Sequence, residues 1–427
     1  MQMTKTATKT VLLPGLVAFL ASSNVRRRPY PLFSALRKID PMHESAIGVW
    51  ILSRHAEVAS VLRDPRFGSD EDKADVDRLN FGPFERLFAK RGQRGGNADR
   101  IEFIEKLGEL MLFRDPPDHT RLRSLVTKAF TPRRVEVLQP RIEQIVTETL
   151  DTFPKDGTVD VMSTLAYPVP ARVICELVGV PTADQGLIIG LAPDLAGGLD
   201  PGPMRTPESM RRADEAYRTL QRYIGEMIDV RRRQPQDDLL TALIQAEEDG
   251  SSLTRDELIG TVGLLIMAGH ETTANLVGNG LVAMLRDRDA FERLRDDPSV
   301  GQTAVEELLR FDSPVQMTVR VALDDVAVGE QTIKKGSIVV AIIAAANRDP
   351  AVFADPNELD LARTPNPHLS FSGGAHFCIG APLARLEARI MLGELVRRFP
   401  AMRLKKAVRR KSFTIRGYSE LEVRTHR

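Results

Sequence analysis

Phe371-Ser-Gly-Gly-Ala-His-Phe-Cys-Ile-Gly380 sets a lone cysteine, Cys378, among glycines and directly ahead of the helical pattern Ala381-Pro-Leu-Ala-Arg-Leu-Glu-Ala-Arg-Ile-Met-Leu-Gly393. Gly373, Gly374 and Gly380 let backbone approach the sulfur closely. The helix that follows begins with unpaired N–H groups and the positive end of its dipole, both of which favour thiolate over thiol. A thiolate so placed suits haem iron as a soft ligand. A buried packing cysteine near a helix start is the competing reading. The loop alone does not choose between them, and the rest of the chain has to.

At 427 residues the chain is long for one core, and length alone suggests two or three domains. Its 42% hydrophobic and 27% charged residues are those of a soluble globular protein, and a net charge of +1 gives no reason to expect nucleic acid or an anionic membrane as partner. Two cysteines, Cys175 and Cys378, exclude a disulfide framework and a Cys-rich zinc site. They point to a reducing compartment, here read as the cytoplasm. Residues 1–10 read as a disordered lead-in. Lys5 and Lys9 ahead of the apolar run Val11–Ala21 imitate a secretory leader, but the run is too short to span a bilayer and contains Pro14 and Gly15. It is expected to pack on the body of the protein.

Helical patterns begin at Tyr30, at Ala56–Arg63, and at Asp115–Phe130, where two prolines and Asp118 give the start signal. They continue through Ile142–Phe153, Tyr167–Leu177, where Cys175 reads as core packing, Asp214–Arg233 and Asp237–Glu247. A mostly apolar pattern from Thr254 to about Leu294 predicts one very long helix buried through the centre. Ile47–Ser53 reads as a strand, Val326–Val340 as hairpin material turning at Gly329 and Gly336, and Phe413–Tyr418 with Leu421–Val423 as a last short sheet. The charged, aperiodic residues 69–100 and the Gly/Pro-rich residues 191–210 read as mobile lid segments. No internal repeat or low-complexity linker divides the chain, which favours one mainly α body with minor β-sheets (α+β) over several separable domains.

The central pattern carries Ala268-Gly-His-Glu-Thr-Thr273. Small residues there would let a planar group approach the helix, and Gly269 costs about 1 kcal/mol of helix stability against Ala. Thr272 can bond back to a carbonyl one turn earlier. Glu271 in apolar surroundings is costly unless it serves as a proton route. Glu307 and Arg310 lie at i and i+3, a pairing that taken alone is ordinarily solvated. His119 and Arg123 share a helix face that could grip a carboxylate or phosphate; Arg320 and His376 are further candidates.

Taken together these segments resemble the cytochromes P-450. Phe371–Gly380 has the form Phe-x-x-Gly-x-His-x-Cys-x-Gly of that family's haem loop, and Ala268–Thr273 is similar to its oxygen-activation segment. Glu307–Arg310 resembles its Glu-x-x-Arg helix, Asp118–Arg123 its propionate-binding helix, and Asn347-Arg-Asp-Pro with Arg363 the segment completing its structural Glu-Arg-Arg cluster. The likeness runs from about residue 29 to the C-terminus; Ser372 stands where the family often has glycine.

The resemblance implies a triangular-prism fold over residues 11–427, a helical lobe and a small β-rich lobe forming one domain with a long central helix over the haem. It implies haem b, iron protoporphyrin IX, with Cys378 as metal ligand, His119, Arg123, Arg320 and His376 on the propionates, and Phe371 packed beside the thiolate. Glu271 and Thr272 become the acid–alcohol pair that delivers protons to activated dioxygen; Met267, Ala268, Gln316, Met317 and Thr318 become pocket residues for an apolar substrate. The implied activity is insertion of one atom of dioxygen into that substrate, with electrons from NAD(P)H through a separate ferredoxin or flavodoxin and its reductase. Arg385 and Arg389 are candidates to steer such an acidic partner. The alternatives are a peroxide-driven haem-thiolate oxidase, a non-catalytic haem carrier or sensor and, more remotely, a thiol hydrolase using Cys378 with His376.

Overall fold

A computed structural model describes residues 27–45, 48–75, 106, 108–198, 206–248, 250–410, 412 and 415–426. The expectations for residues 1–10 and for the run Val11–Ala21 lie outside the described residues, as does most of 69–100.

The long apolar pattern forms the central helix, Arg255–Arg286, 32 residues and so ~48 Å long. A reciprocal cap starts it: the Glu257 N–H donates to Thr254 Oγ1 at 3.3 Å, and the Thr254 N–H donates to a Glu257 carboxylate oxygen at 2.9 Å. It stops eight residues short of the expected Leu294. Asp287 turns its side chain to the Ala290 N–H at 3.2 Å and caps a second helix, Arg288–Asp296. The apolar spacing carries on through Phe291 and Leu294, both buried, so periodicity alone cannot see the break.

Helices Pro168–Val178, Pro207–Arg233 and Ala381–Arg398 pack on the central helix. Gly269, expected to admit a planar group, serves this packing instead: a Cβ there would press on Ile174 Cγ1 at 3.2 Å. Cys175 sits beside it, buried in the large core that runs through every one of these helices. Burial pushes its thiol up to about 12, so it is inert packing. Of residues 191–210, expected to be a mobile connection, 199–205 lie outside the described residues; before them Gln185–Gly198 is helical, and after them a capped helix begins at Pro207.

The smaller lobe is a five-stranded sheet in the order Met42–Glu44, Trp50–Leu52, Ile338–Ala341, Thr318–Ala322, Phe67–Gly68. Trp50–Leu52 runs parallel to Ile338–Ala341, and Thr318–Ala322 antiparallel to it, pairing Arg320 with Val339. Leu52, Val58, Val61, Val326, Ile333 and Val339 form its core with helix His55–Arg63. Val326–Val328 and Gln331–Ile333 make the expected hairpin, with Gly329 at φ +55° in the turn. The C-terminal strand Tyr418–His426 pairs on both sides, with Arg403–Arg409 and with Asp156–Asp160. Neither partner showed in the sequence, because both are mostly charged or polar and gain strand structure from the pairing. Among the described residues no helix is long and apolar enough to cross a membrane.

Candidate active site

The cysteine loop lies against the end of helix His55–Arg63. Gly374, at φ +61°, touches that helix so closely that a Cβ would stand 2.6 Å from the Leu62 carbonyl oxygen. Ser372 is also left-handed, at φ +63°, which costs a non-glycine residue about 1–2 kcal/mol. The position explains the family's glycine there; in return the serine hydroxyl comes within 3.4 Å of Arg320 Nη2. The Cys378 N–H donates to the Phe371 carbonyl at 2.9 Å, closing the loop.

Cys378 is exposed, with protein mass close around it. Burial pushes its thiol above the ordinary value, while the N–H groups of Gly380 and Ala381 and the guanidinium groups of Arg123 and Arg385 act in the opposite sense. The expected thiolate-favouring donors are therefore in place but outweighed. A metal cation on the sulfur is the interaction that would reverse this balance.

Four cationic or hydrogen-bonding side chains gather beside the loop from three elements. His119 and Arg123 lie one turn apart on helix Asp118–Ala129, Arg320 on strand Thr318–Ala322, and His376 within the loop. The His119 and His376 rings stack with centroids 4.1 Å apart. Both nitrogens of His119 are buried without a hydrogen-bond partner. Arg123 Nη2 donates to the Phe377 carbonyl at 2.6 Å, and Arg320 Nη1 to the Val319 carbonyl at 2.8 Å. No carboxylate pairs with any of the four among the described residues. Asp115, the nearest, is committed to the Ser69 N–H at 2.6 Å and to Lys73 at 2.9 Å.

The cost appears in the proton affinities. Burial, then His119 and Arg320, push His376 down to about 3; burial pushes Arg320 down to about 10 and also lowers His119. A set of desolvated donors, two of them buried, whose cations lower both imidazoles and whose His119 nitrogens are orphaned, fits an anionic ligand that brings its own charge. The two propionates of haem would be such a ligand, and the Cys378 sulfur is a soft donor that would suit its iron.

On the central helix Ala268 is exposed and Thr272 partly so, although the helix around them is buried. Thr272 Oγ1 donates to the Ala268 carbonyl at 2.9 Å. Glu271 is buried and pairs with Arg410, which also donates to the Tyr167 hydroxyl at 3.0 Å. Burial works to lower the Arg410 guanidinium, but Glu271 and Tyr167 hold it above its ordinary value. The Glu271 carbonyl takes the Asn275 side-chain amide at 2.7 Å. The acid and the alcohol of the expected pair thus have separate partners. Met267 is buried; Gln316 donates to the Ser313 carbonyl at 2.6 Å, its Oε1 buried without a partner. Met317 packs toward the Phe33–Leu36 cluster of the small lobe, and Thr318 Oγ1 accepts from Arg320 at 3.1 Å.

Glu307 and Arg310 are fully buried and joined by two hydrogen bonds of 2.7 Å, with Arg363 Nε on the same carboxylate at 3.1 Å. The i, i+3 spacing that reads as solvated is therefore an internal cluster. Sequence reasoning missed Arg410 and Tyr167, which lie far from Glu271 in the chain and carry no local signal. It also missed Glu306, which takes both Arg385 Nε and Nη2, at 2.6 and 2.9 Å.

Comparison with known proteins agrees with this geometry. The family model for cytochrome P-450 matches residues 199–414. The vitamin D(3) 25-hydroxylase of Pseudonocardia autotrophica is 37% identical over 419 residues, covering 95% of this chain and 95% of that protein. The cytochrome P-450 monooxygenase PikC of Streptomyces venezuelae is 38% identical, over 88% of this chain and 85% of its own length. Among solved structures, that of P-450 BioI with an acyl carrier protein ligated to hexadec-9Z-enoic acid superposes with a TM-score of 0.85 at 34% identity, over 95% of this chain and 100% of that one. With a family model matching half its residues and relatives aligned over most of its length, the chain belongs to the cytochrome P-450 family, oxidoreductases that carry haem.

Proposed function

We propose that the protein is a haem-thiolate monooxygenase that inserts one atom of dioxygen into an apolar organic substrate and draws electrons from separate redox proteins. The observation that carries this reading is a cluster of His119, Arg123, Arg320 and His376, His119 and Arg320 buried and the other two partly so, that pairs with no carboxylate among the described residues and lies beside the lone accessible cysteine. In this assignment Cys378 is the iron ligand, the four side chains hold the propionates, and Phe371 backs the sulfur. Bound haem supplies the activation of dioxygen. The chain supplies proton control: the Thr272 hydroxyl stands at the accessible stretch of the central helix, ready to hand on a proton. Glu271 is the adjacent acid, and it has to leave Arg410 to take part.

An apolar substrate is supported by Met267 and Ala268 on the central helix and by the monooxygenase and hydroxylase relatives. A substrate delivered on a carrier protein has one precedent among the structural neighbours. Electrons would come from NAD(P)H through a ferredoxin or flavodoxin and its reductase. A reducing, cytoplasmic setting is consistent with two free cysteines.

The decisive experiment is the reduced carbon-monoxide difference spectrum of purified wild type and of Cys378→Ala, both checked for folding. A strongly red-shifted Soret band in wild type, lost in the variant, is the expected result. Folded wild-type protein that takes up no haem when haem is supplied would remove the assignment. A normal band with reductant consumption indifferent to every apolar compound offered would favour a carrier or sensor.

A further inference from the structure

The back of the cysteine loop holds charged groups that the reading above leaves unused. Arg385 stands in the first turns of helix Ala381–Arg398, and its guanidinium carbon lies 4.5 Å from the centroid of the Phe371 ring. Glu306 grips it from the neighbouring helix as a fork, Nε at 2.6 Å and Nη2 at 2.9 Å. The same carboxylate takes His368 Nε2 at 3.0 Å. His368 Nδ1 accepts the Ser370 N–H at 3.2 Å, so Nε2 carries the proton directed at Glu306. The buried His368 ring lies 5.9 Å from the Phe371 ring. Phe371 thus touches both a held cation and a held imidazole, and its carbonyl is the one that receives the Cys378 N–H.

This leaves Arg385 little to offer a docking protein. Its Nε and Nη2 go to Glu306 and its carbon centre lies over Phe371, whereas Arg389, one turn on, is exposed and has no ion pair among the described residues. Arg385 is also one of the charges that pull the Cys378 thiol down, and the Arg385 and His368 partners hold Glu306 at about 2 against burial, so the pair is ionised at neutral pH.

We propose that Arg385, fixed over Phe371 by Glu306 and His368, is a positioning residue whose charge tempers electron donation from the Cys378 sulfur and so raises the reduction potential of the bound haem. The inference rests on the haem-thiolate reading. A cation behind the sulfur holds electron density on the ligand and favours the reduced, more negative centre; Glu306 partly cancels it. Because Arg385 is about one-third exposed, solvent screens the effect and it should be moderate.

The test is a spectroelectrochemical titration of holoenzyme in three variants. Arg385→Gln should lower the potential by about threefold to tenfold in the one-electron reduction equilibrium, tenfold being ~59 mV. Glu306→Gln, which leaves the cation less opposed, should raise it. Arg385→Lys, with the charge but no fork, should recover part of the loss. Opposite signs are the signature, since a merely structural loosening of the loop would move both substitutions the same way. Equal signs overturn the proposal. So does an unchanged potential together with altered salt dependence of reduction by a ferredoxin, which would return Arg385 to partner docking. If Arg385→Gln fails to hold haem, the direction of Glu306→Gln and the partial recovery in Arg385→Lys still decide. A wild type without a red-shifted carbon-monoxide band would mean that the haem-thiolate reading itself has failed; wrong signs beneath a normal band would sink only this inference.

Discussion

Two buried clusters of positive charge face opposite tasks in this molecule. Around Arg310 every donor is spent: Nε and Nη2 on Glu307, Nη1 on the carbonyls of Asn347 and Pro356 at 3.0 and 2.8 Å, and Nη2 again on Glu358 at 3.0 Å. Glu307 takes Arg363, the Asn366 amide at 3.1 Å and the Asp360 N–H at 3.0 Å besides. Around His119 and His376 the reverse holds: both His119 nitrogens are orphaned, burial and neighbouring cations lower both imidazoles, and no carboxylate among the described residues pairs with either, Asp115 acting only at a distance. A closed cluster can only hold the chain together. An open one is unstable on its own account and is explained by what it is built to bind.

The comparison is broken most directly at Arg310. Arg310→Leu leaves the Glu307 carboxylate buried with part of its partners gone, which should cost about 3–5 kcal/mol. Denaturant unfolding of the variant reads this, and a loss under ~1 kcal/mol would mean that the closed cluster is not structural. At the open cluster the same kind of substitution should do the opposite. Arg320→Leu removes a cation that burial already disfavours, so the stability of the haem-free protein should hold or rise. Haem retention should fall by about 1.5–3 kcal/mol, the worth of a charge-assisted hydrogen bond. Transfer of haem to an acceptor protein measures it; unchanged retention would place the propionates elsewhere.

The difference between these clusters was only half legible in the sequence. Phe371–Gly380 and Ala268–Thr273 announce themselves because close approach and a lone thiol leave strict residue requirements at fixed spacing. Glu307 and Arg310 taken alone looked like an ordinary helical pair, and only the family resemblance marked them, with Arg363, as structural, since i, i+3 spacing says nothing about which face is buried; burial comes from segments such as Asn347–Asp360 folding over it. The break at Asp287 was hidden by an apolar spacing that continues past it. Arg410 could not have been found at all: its partner Glu271 is 139 residues away, and an arginine after a charged strand carries no mark of what it will meet. Arg385 was visible as a cation near the loop, but sequence does not give Glu306 as the carboxylate that holds it.

Acid sharpens the comparison further. Burial and neighbouring cations hold His376 at about 3, below the ordinary 6.5 of the unfolded chain. On acidification the unfolded state therefore takes up the proton first. The contribution of His376 to stability is whole above pH ~6.5 and drains away as the pH falls toward about 3. In haem-free protein, His376→Asn should lose stability less steeply than wild type between pH 7 and pH 4, in a comparison where acid groups common to both cancel. With haem bound, the propionates favour the imidazolium, and the two profiles should draw together. Parallel profiles in the haem-free forms would show that the open cluster does not carry the strain described.

The smallest effect on stability is expected where the chemistry is most exposed. Among the described residues Thr272 Oγ1 bonds only to the Ala268 carbonyl of its own helix, which already receives an amide in the helical ladder. Thr272→Ala should therefore change unfolding free energy by no more than ~0.5 kcal/mol. Its consequence should appear in the partition of electrons: reductant consumption persists, product falls, and hydrogen peroxide rises in its place, because no hydroxyl remains to hand on the proton. Measuring product and peroxide against reductant consumed decides it. If coupling is unchanged, the proton does not travel through this hydroxyl. The burden would then pass to Glu271, whose contact with Arg410 ties it to the C-terminal segment and not to its neighbour in sequence.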